Sequence, residues 1–348
     1  MKRITTILVA LLLVVVSVFA VACNQKPNDG AHVCQRKCEQ CGKCQNPDCT
    51  EDVCKNKCTG HPEQKFEFTV LSVNLDQGLA DDAGVRTRCA NRIVAADPDF
   101  FGVQEENATW QEYLTDVMGE NGYEHVVVYR GGPNGYDEAG GIFYKVDRFN
   151  LVKSGAFWLS DTPDVVGSVA TSWGEDTFPR VCTWVVLQDK LSGLEFGYFN
   201  THLSYEAEKP EVRIKSAQLI AAKIAEIVPN KPAFVSGDMN FASNVEPNTY
   251  AAFTDNFVDT KSIVAESEWT NTFNNYGSDT ENGKPIPTMP IDYIFVTKDF
   301  FTLKTFEILP EEKADQLVVG APSSGWTSDH YPIKAVVEFT KGDVDKTK

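Results

Sequence analysis

The chain has 348 residues, 42% of them apolar, and a formal charge of −17. That length allows a large buried core, in one α/β domain or two smaller ones. The acidic balance excludes the basic footprint of a tight nucleic-acid binder, but it leaves a nuclease open, because a bound metal can supply positive charge locally.

Lys2 and Arg3 precede an apolar run, Ile7 to Ala22, in which only Ser17 is polar; the run ends in Ala20-Val21-Ala22-Cys23. A basic start followed by an apolar stretch and small residues is an export signal. Small residues just before Cys23 resemble a bacterial lipobox, whose cysteine is lipidated, although Ala20 stands where such motifs usually have Leu. An uncleaved anchor and ordinary secretion are the alternatives, since Ile4 to Ala22 approaches the roughly 20 residues that span a bilayer. The expectation is an exported lipoprotein held at the membrane through Cys23. Its parts are a leader over 1–23, a cysteine-rich segment and linker over 24–62, a folded domain over 63–341 and a charged tail over 342–348.

Cys34, Cys38, Cys41, Cys44, Cys49, Cys54 and Cys58 lie among polar residues with Val53 as the lone aliphatic, so burial cannot order that segment. Disulfides or a bound metal, with His32 and His61 flanking, are the two readings. The spacing from Cys38 to Cys49 comes near a ferredoxin cluster motif, but the last gap is one residue too long and no Pro follows. Cys89 and Cys182 stand apart in apolar surroundings and read as core residues.

From Lys65 onward strands and helices alternate. Phe66 to Asn74 has the period of a half-buried strand and delivers Asn74 at its end. Arg86 to Ala96 reads as a helix stopped by Asp97-Pro98. Phe100 to Val103 is a short buried strand presenting Gln104 and Glu105. Further strands are expected at 141–144, 182–187 and 194–199, the last running into Asn200-Thr201-His202. A helix follows from about Pro210 to Val228, apolar at Ile214, Ala217, Ile220, Ile224 and Ile227. Strands at 232–236, 290–296 and 331–339 bring in Gly237-Asp238-Met239-Asn240, Asp292-Tyr293 and Ser328-Asp329-His330. No internal boundary is richer in Pro, Gly or Ser than the ordinary loops, which favours one layered α/β domain. Ser243 to Pro287 is rich in Asn, Thr and Gly and reads as loops shaping a site.

Each motif alone has a duller reading: Asn-Thr-His and Gly-Asp-x-Asn are common turn chemistry, and Gln-Glu is a common solvated strand end. Together, an Asn, a Glu, a carboxylate–carboxamide pair and two histidines at strand ends are the parts needed to hydrolyse a phosphate ester with a divalent metal. The ordered set Ser72-Val73-Asn74, Gln104-Glu105, Asn200-Thr201-His202, Gly237-Asp238-x-Asn240, Asp292-Tyr293 and Ser328-Asp329-His330 resembles the endonuclease/exonuclease/phosphatase superfamily over essentially all of residues 65–340. Phe157 to Pro163 and Arg180 to Trp184 look like a bacterial branch of it. The resemblance implies a four-layer α/β/β/α sandwich of two packed mixed β-sheets flanked by helices, with the site at one edge.

Glu105 is then the expected direct ligand of Mg²⁺ or Mn²⁺, with Asn74 and Asp329 close by in the family site. Asp238 takes a proton from, or orients, the attacking water, and Asn240 holds it or the phosphate in line. His330 stabilises the phosphate oxygens or positions the nucleophile, Asp292 fixing its tautomer. His202 is a second phosphate contact or the acid for the leaving group. Glu138 supports that step, and Asn200 is grouped with the substrate-binding residues. Arg180 either binds substrate phosphate or forms a structural ion pair. Many relatives place an Asn near Glu138, where this chain has Glu138-Ala139-Gly140-Gly141, so the pocket wall differs there. The expected activity is phosphodiester cleavage of nucleic acid or a nucleotide-like substrate, with a phosphatase of small phosphorylated sugars, inositols or lipid headgroups as the alternative. A non-enzyme alternative is an envelope binding module that uses the cysteine-rich segment.

Overall fold

Phe66, Phe68 and Val70 alternate into the core along the first strand, and from Val70 to Asn74 burial becomes continuous because both faces are covered. The computed structural model describes residues 63–132, 138–175, 178–281, 283–311 and 326–347. Cys23 and the cysteines from Cys34 to Cys58 lie outside the described residues. Gln64–Lys348 form one compact unit. In chain order it comprises β1 (Lys65–Asn74), α1 (Ala83–Ala96), β2 (Phe100–Glu106), α2 (Ala108–Glu120), β3 (Tyr123–Tyr129), β4 (Ala139–Lys145) and β5 (Phe149–Trp158). Then come β6 (Val181–Asp189), β7 (Glu195–His202), α3 (Pro210–Ile227), β8 (Ala233–Asp238), α4 (Pro247–Thr254) and β9 (Phe257–Asp259). The last elements are β10 (Thr280–Glu281), β11 (Lys284–Pro285), β12 (Asp292–Thr297), β13 (Thr302–Ile308), β14 (Ile333–Thr340) and α5 (Lys341–Asp345).

Two six-stranded sheets carry the fold, one in the order β13-β14-β1-β2-β4-β3 and the other β5-β6-β7-β8-β12-β9. Each has one parallel pair, β1 with β2 and β7 with β8, among antiparallel neighbours. Between the sheets Phe68, Phe100, Phe196, Tyr198, Phe234 and Phe339 form an aromatic core. The outer face of the first sheet packs on α1 and α2 through Cys89, Ile93, Trp110, Leu114 and Met118. The second sheet packs on α3 and α4 through Ala217, Ile220, Ile224 and Phe253. This is the expected α/β/β/α sandwich.

Local chemistry sets the element ends. Asp82 caps α1 by accepting from the Gly84 and Val85 N–H groups, and the helix stops where Asp97 turns left-handed before Pro98. Pro210 opens α3 at a position where a missing N–H costs nothing. Cys89 and Cys182 are buried free thiols, as read from their surroundings. The end expected as a charged tail instead begins with α5: Thr340 and Asp343 close a reciprocal capping box, and Val344 is buried.

Candidate active site

Parallel pairing puts the C-terminal ends of β1 and β2 side by side, with Asn74 opposite Gln104, and does the same for His202 and Asp238 on β7 and β8. Strand β12 runs antiparallel to β8, so its first residue, Asp292, faces Asp238. His330 lies just before β14 and pairs with Phe273 in an isolated bridge. Residues scattered over much of the chain thus reach one edge of the sandwich.

The Asp238 carboxylate is the centre. Its Oδ2 accepts from Asn74 Nδ2 at 3.2 Å, and it faces His202 Nε2 at 3.5 Å and His330 Nε2 at 3.6 Å. Each imidazole is backed by a second carboxylate: His202 Nδ1 lies 2.9 Å from Glu138 Oε1, and His330 Nδ1 lies 2.9 Å from Asp292 Oδ2. Such backing holds a ring with Nδ1 as donor and turns Nε2 toward the reaction space. Burial alone disfavours a proton on His330, but Asp292, Asp238 and Asp329 outweigh it and raise its basicity well above the ordinary histidine range. Glu138 shows the converse balance: burial opposes its charge, yet His202, Arg180 and Arg130 hold its carboxyl down at about 2.

Asn240 follows in a left-handed turn, φ 54°, its backbone N–H donating to Asp238 Oδ1 at 2.9 Å and its side-chain amide to the Leu203 carbonyl at 3.1 Å. The turn depends on Gly237, where a Cβ would stand 1.8 Å from the Thr201 carbonyl oxygen. Asp76 (φ 55°) and Glu105 (φ 57°) are also left-handed. Three strained non-glycine residues at one edge are what a functional site commonly carries.

Beside this centre lies a group of hard oxygen donors. Asn74 Nδ2 also reaches Glu105 Oε1 at 3.2 Å, and Glu105 Oε2 accepts from the Gln77 N–H at 3.2 Å. Burial pushes the Asp329 carboxyl up to about 7; His330 counters it, and the negative charges of Asp76, Glu105 and Asp238 add to it. Crowded carboxylates of this kind fit a hard divalent ion such as Mg²⁺ or Mn²⁺, which Glu105, Asp329 and Asn74 would hold. Asp238, Asp292 and His330 also converge within 4.8 Å. There the His330–Asp292 hydrogen bond occupies Nδ1, whereas the group around Glu105 offers oxygen donors, which suit a hard cation.

Asn200 lies apart from these groups, between the sheets. It is wholly buried, with Nδ2 donating to the carbonyls of Val103 at 2.7 Å and Gly141 at 3.0 Å and Oδ1 accepting from Gln104 at 2.7 Å. Its hydrogen-bonding groups are engaged in clamping the two sheets together and are not offered to a substrate. Arg180, 5% exposed, lies 3.8 Å from Glu138, and its Nε and Nη1 have no hydrogen-bond acceptor. A small cavity beside it is lined by Arg130, Glu138, Arg180 and His202.

Sequence reasoning passed over Asp76, Arg130 and Tyr276. Asp76 had a signal, its i, i+2 spacing from Asn74, which matches that of Asp238 and Asn240; Arg130 and Tyr276 had none.

With that geometry established, the sequence profile described as the Endonuclease/Exonuclease/phosphatase family matches residues 71–330, and the chain belongs to that family. No curated protein matches it by sequence. Among solved structures, an endonuclease/exonuclease/phosphatase family protein from Bacteroides thetaiotaomicron is similar, with TM-score 0.66 and 29% identity over 80% of this chain and 97% of its own. A mannosyl-6-phosphatase of Bacteroides thetaiotaomicron follows, with TM-score 0.64 and 29% identity over 78% of this chain and 99% of its own. TDP2 of D. rerio, complexed with a single-strand DNA product, shares the fold at TM-score 0.59 and 17% identity, over 78% of this chain and 98% of its own.

Proposed function

We propose that the chain is a divalent-metal-dependent hydrolase that releases phosphate from small phosphorylated sugars. The observation that carries the chemistry is Asp238, flanked by two carboxylate-backed imidazoles next to the Glu105–Asp329 donor group. A charge of −17 repels long polyanions and favours a small substrate, as does the likeness to a mannosyl-6-phosphatase.

Asp238 orients the attacking water and accepts its proton, with Asn240 holding the line of attack. His330, kept protonated by its carboxylate neighbours, donates to a phosphate oxygen. His202, aligned by Glu138, delivers a proton to the leaving oxygen. Arg180 and Arg130 face the same phosphate from the cavity wall. When held at Glu105, Asn74 and Asp329, the divalent ion supplies positive charge to the phosphate. We propose further that the protein is exported and tethered through lipidated Cys23; membrane fractionation of Cys23→Ser tests this, and an unchanged membrane share rejects it.

The activity test is phosphate release by the purified protein with Mg²⁺ or Mn²⁺ from sugar 6-phosphates and phosphorylated inositols, alongside single-stranded DNA, RNA and a simple phosphodiester. Asp238→Asn is the control. Sugar monoester turnover supports the reading, cleavage confined to diesters replaces it with a nuclease, and absence of both turnover and metal binding favours a binding module.

A further inference from the structure

We propose that Tyr276 is a positioning residue for the divalent ion, orienting the Asp76 carboxylate through its phenol hydroxyl. The inference rests on the metal-dependent reading above. Tyr276 and Asp76 are 200 residues apart, yet the Tyr276 hydroxyl donates to Asp76 Oδ2.

Asp76 is held from several directions. Its backbone N–H donates to Asn74 Oδ1 at 3.0 Å, its Oδ1 accepts from the Gly78 N–H at 2.9 Å, and its carbonyl accepts from Trp110 Nε1 at 3.2 Å. The next residue, Gln77, donates its N–H to Glu105 at 3.2 Å, so a single turn fixes both carboxylates. Asp329 lies within electrostatic reach of both. Among the described residues, only one bond to the Asp76 carboxylate comes from outside that turn, and Tyr276 makes it.

The Tyr276 side is built with equal care. The Asn274 and Asn275 N–H groups both donate to the Asp329 carbonyl, at 2.7 and 3.1 Å, and Phe273 bridges to His330. Asn274 Oδ1 then accepts from the Tyr276 N–H at 2.8 Å, holding the tyrosine left-handed at φ 52°. A bulky residue is disfavoured in that conformation. Burial does not explain its persistence, because Tyr276 is 38% exposed. What the strained placement achieves is the bond to Asp76. Through it, the segment between β9 and β10 is tied to the turn after β1, whose next residue bonds Glu105. Partners that orient a carboxylate beside a metal site in this way typically change metal affinity by 10- to 100-fold when removed.

The test is Mn²⁺ binding by calorimetry and electron paramagnetic resonance on the full chain, for wild type, Tyr276→Phe, Asp76→Ala and the double variant. Tyr276→Phe is expected to weaken Mn²⁺ by about tenfold or more, and the loss is expected to vanish in the Asp76→Ala background, because the tyrosine acts through that carboxylate. Mn²⁺ is also expected to perturb tyrosine absorbance in wild type; this reading stands even if the Phe variant does not fold, and its absence overturns the proposal. Unchanged Mn²⁺ affinity in Tyr276→Phe, or a loss that persists without Asp76, overturns it as well. A wild type that binds no Mn²⁺ sinks the metal-dependent reading itself, whereas one that binds and turns over while Tyr276→Phe is indistinguishable from it sinks the role of Tyr276 alone.

Discussion

Glu138→Gln isolates the buried charge cluster behind His202. Glu138 is 5% exposed and pairs with His202 Nδ1 at 2.9 Å, with Arg130, and with Arg180 at 3.8 Å. Burial opposes its ionisation, but His202, Arg180 and Arg130 set its carboxyl at about 2 against an ordinary 4.5. At about 1.4 kcal/mol per tenfold, that separation is worth about 3 kcal/mol to the folded, ionised state. The folded value lies below the unfolded one, so the contribution is complete above pH 4.5 and is lost as the pH falls toward 2. Glutamine keeps an acceptor for the imidazole but removes the Glu138 charge from beside the buried Arg180 and Arg130 guanidinium groups, and breaking a buried pair commonly costs about 3–5 kcal/mol. Urea unfolding of both proteins from pH 7 to pH 3 reads the difference directly. The gap in unfolding free energy is expected to be about 3 kcal/mol at pH 7 and to shrink to about half of that at pH 3. A gap below about 1 kcal/mol at pH 7, or one that does not change with pH, refutes the assignment of Glu138 as the cluster's counter-charge.

Asp238→Asn and His330→Ala are each expected to lower kcat by about 10²–10⁴-fold or more per folded molecule; near-normal turnover in either removes the proposed centre. Asn200→Ala removes the donor to the Val103 and Gly141 carbonyls and one of the two acceptors of the Gln104 amide, so a loss of about 2–4 kcal/mol in unfolding free energy is expected, with unchanged kcat/KM per folded molecule. A stable but slow variant would return Asn200 to substrate binding. Gly237→Ala drives a methyl group into the Thr201 carbonyl and is expected to abolish soluble folded protein, which circular dichroism and yield would show.

Much of the fold was legible because its strands and helices carry one-sided patterns. Strands β1, β2, β6, β7, β8, β12 and β14 bury either alternate or all residues, and α1 and α3 keep an apolar face. Strands β5 and β13 show no one-sided pattern because half or more of their residues are exposed. Helix α2 had a readable signal in Trp110, Leu114 and Met118, each four residues apart. The segment from Ser243 to Pro287 was read as loops, but it also holds α4 and β9, elements too short to show a clear period.

Residue pattern alone places the polar motifs at the ends of their strands, so that Asn74, Glu105, His202, Asp238, Asp292 and His330 can share one edge. Only the tertiary structure separated Asn200 from that group, because the carbonyls that engage it belong to the opposing sheet. Tertiary structure also brought Tyr276 to Asp76 and Arg130 to Glu138. Side-chain period encodes which face turns inward; which partner waits there is decided by how the two sheets stack, through residues that sequence spacing does not relate.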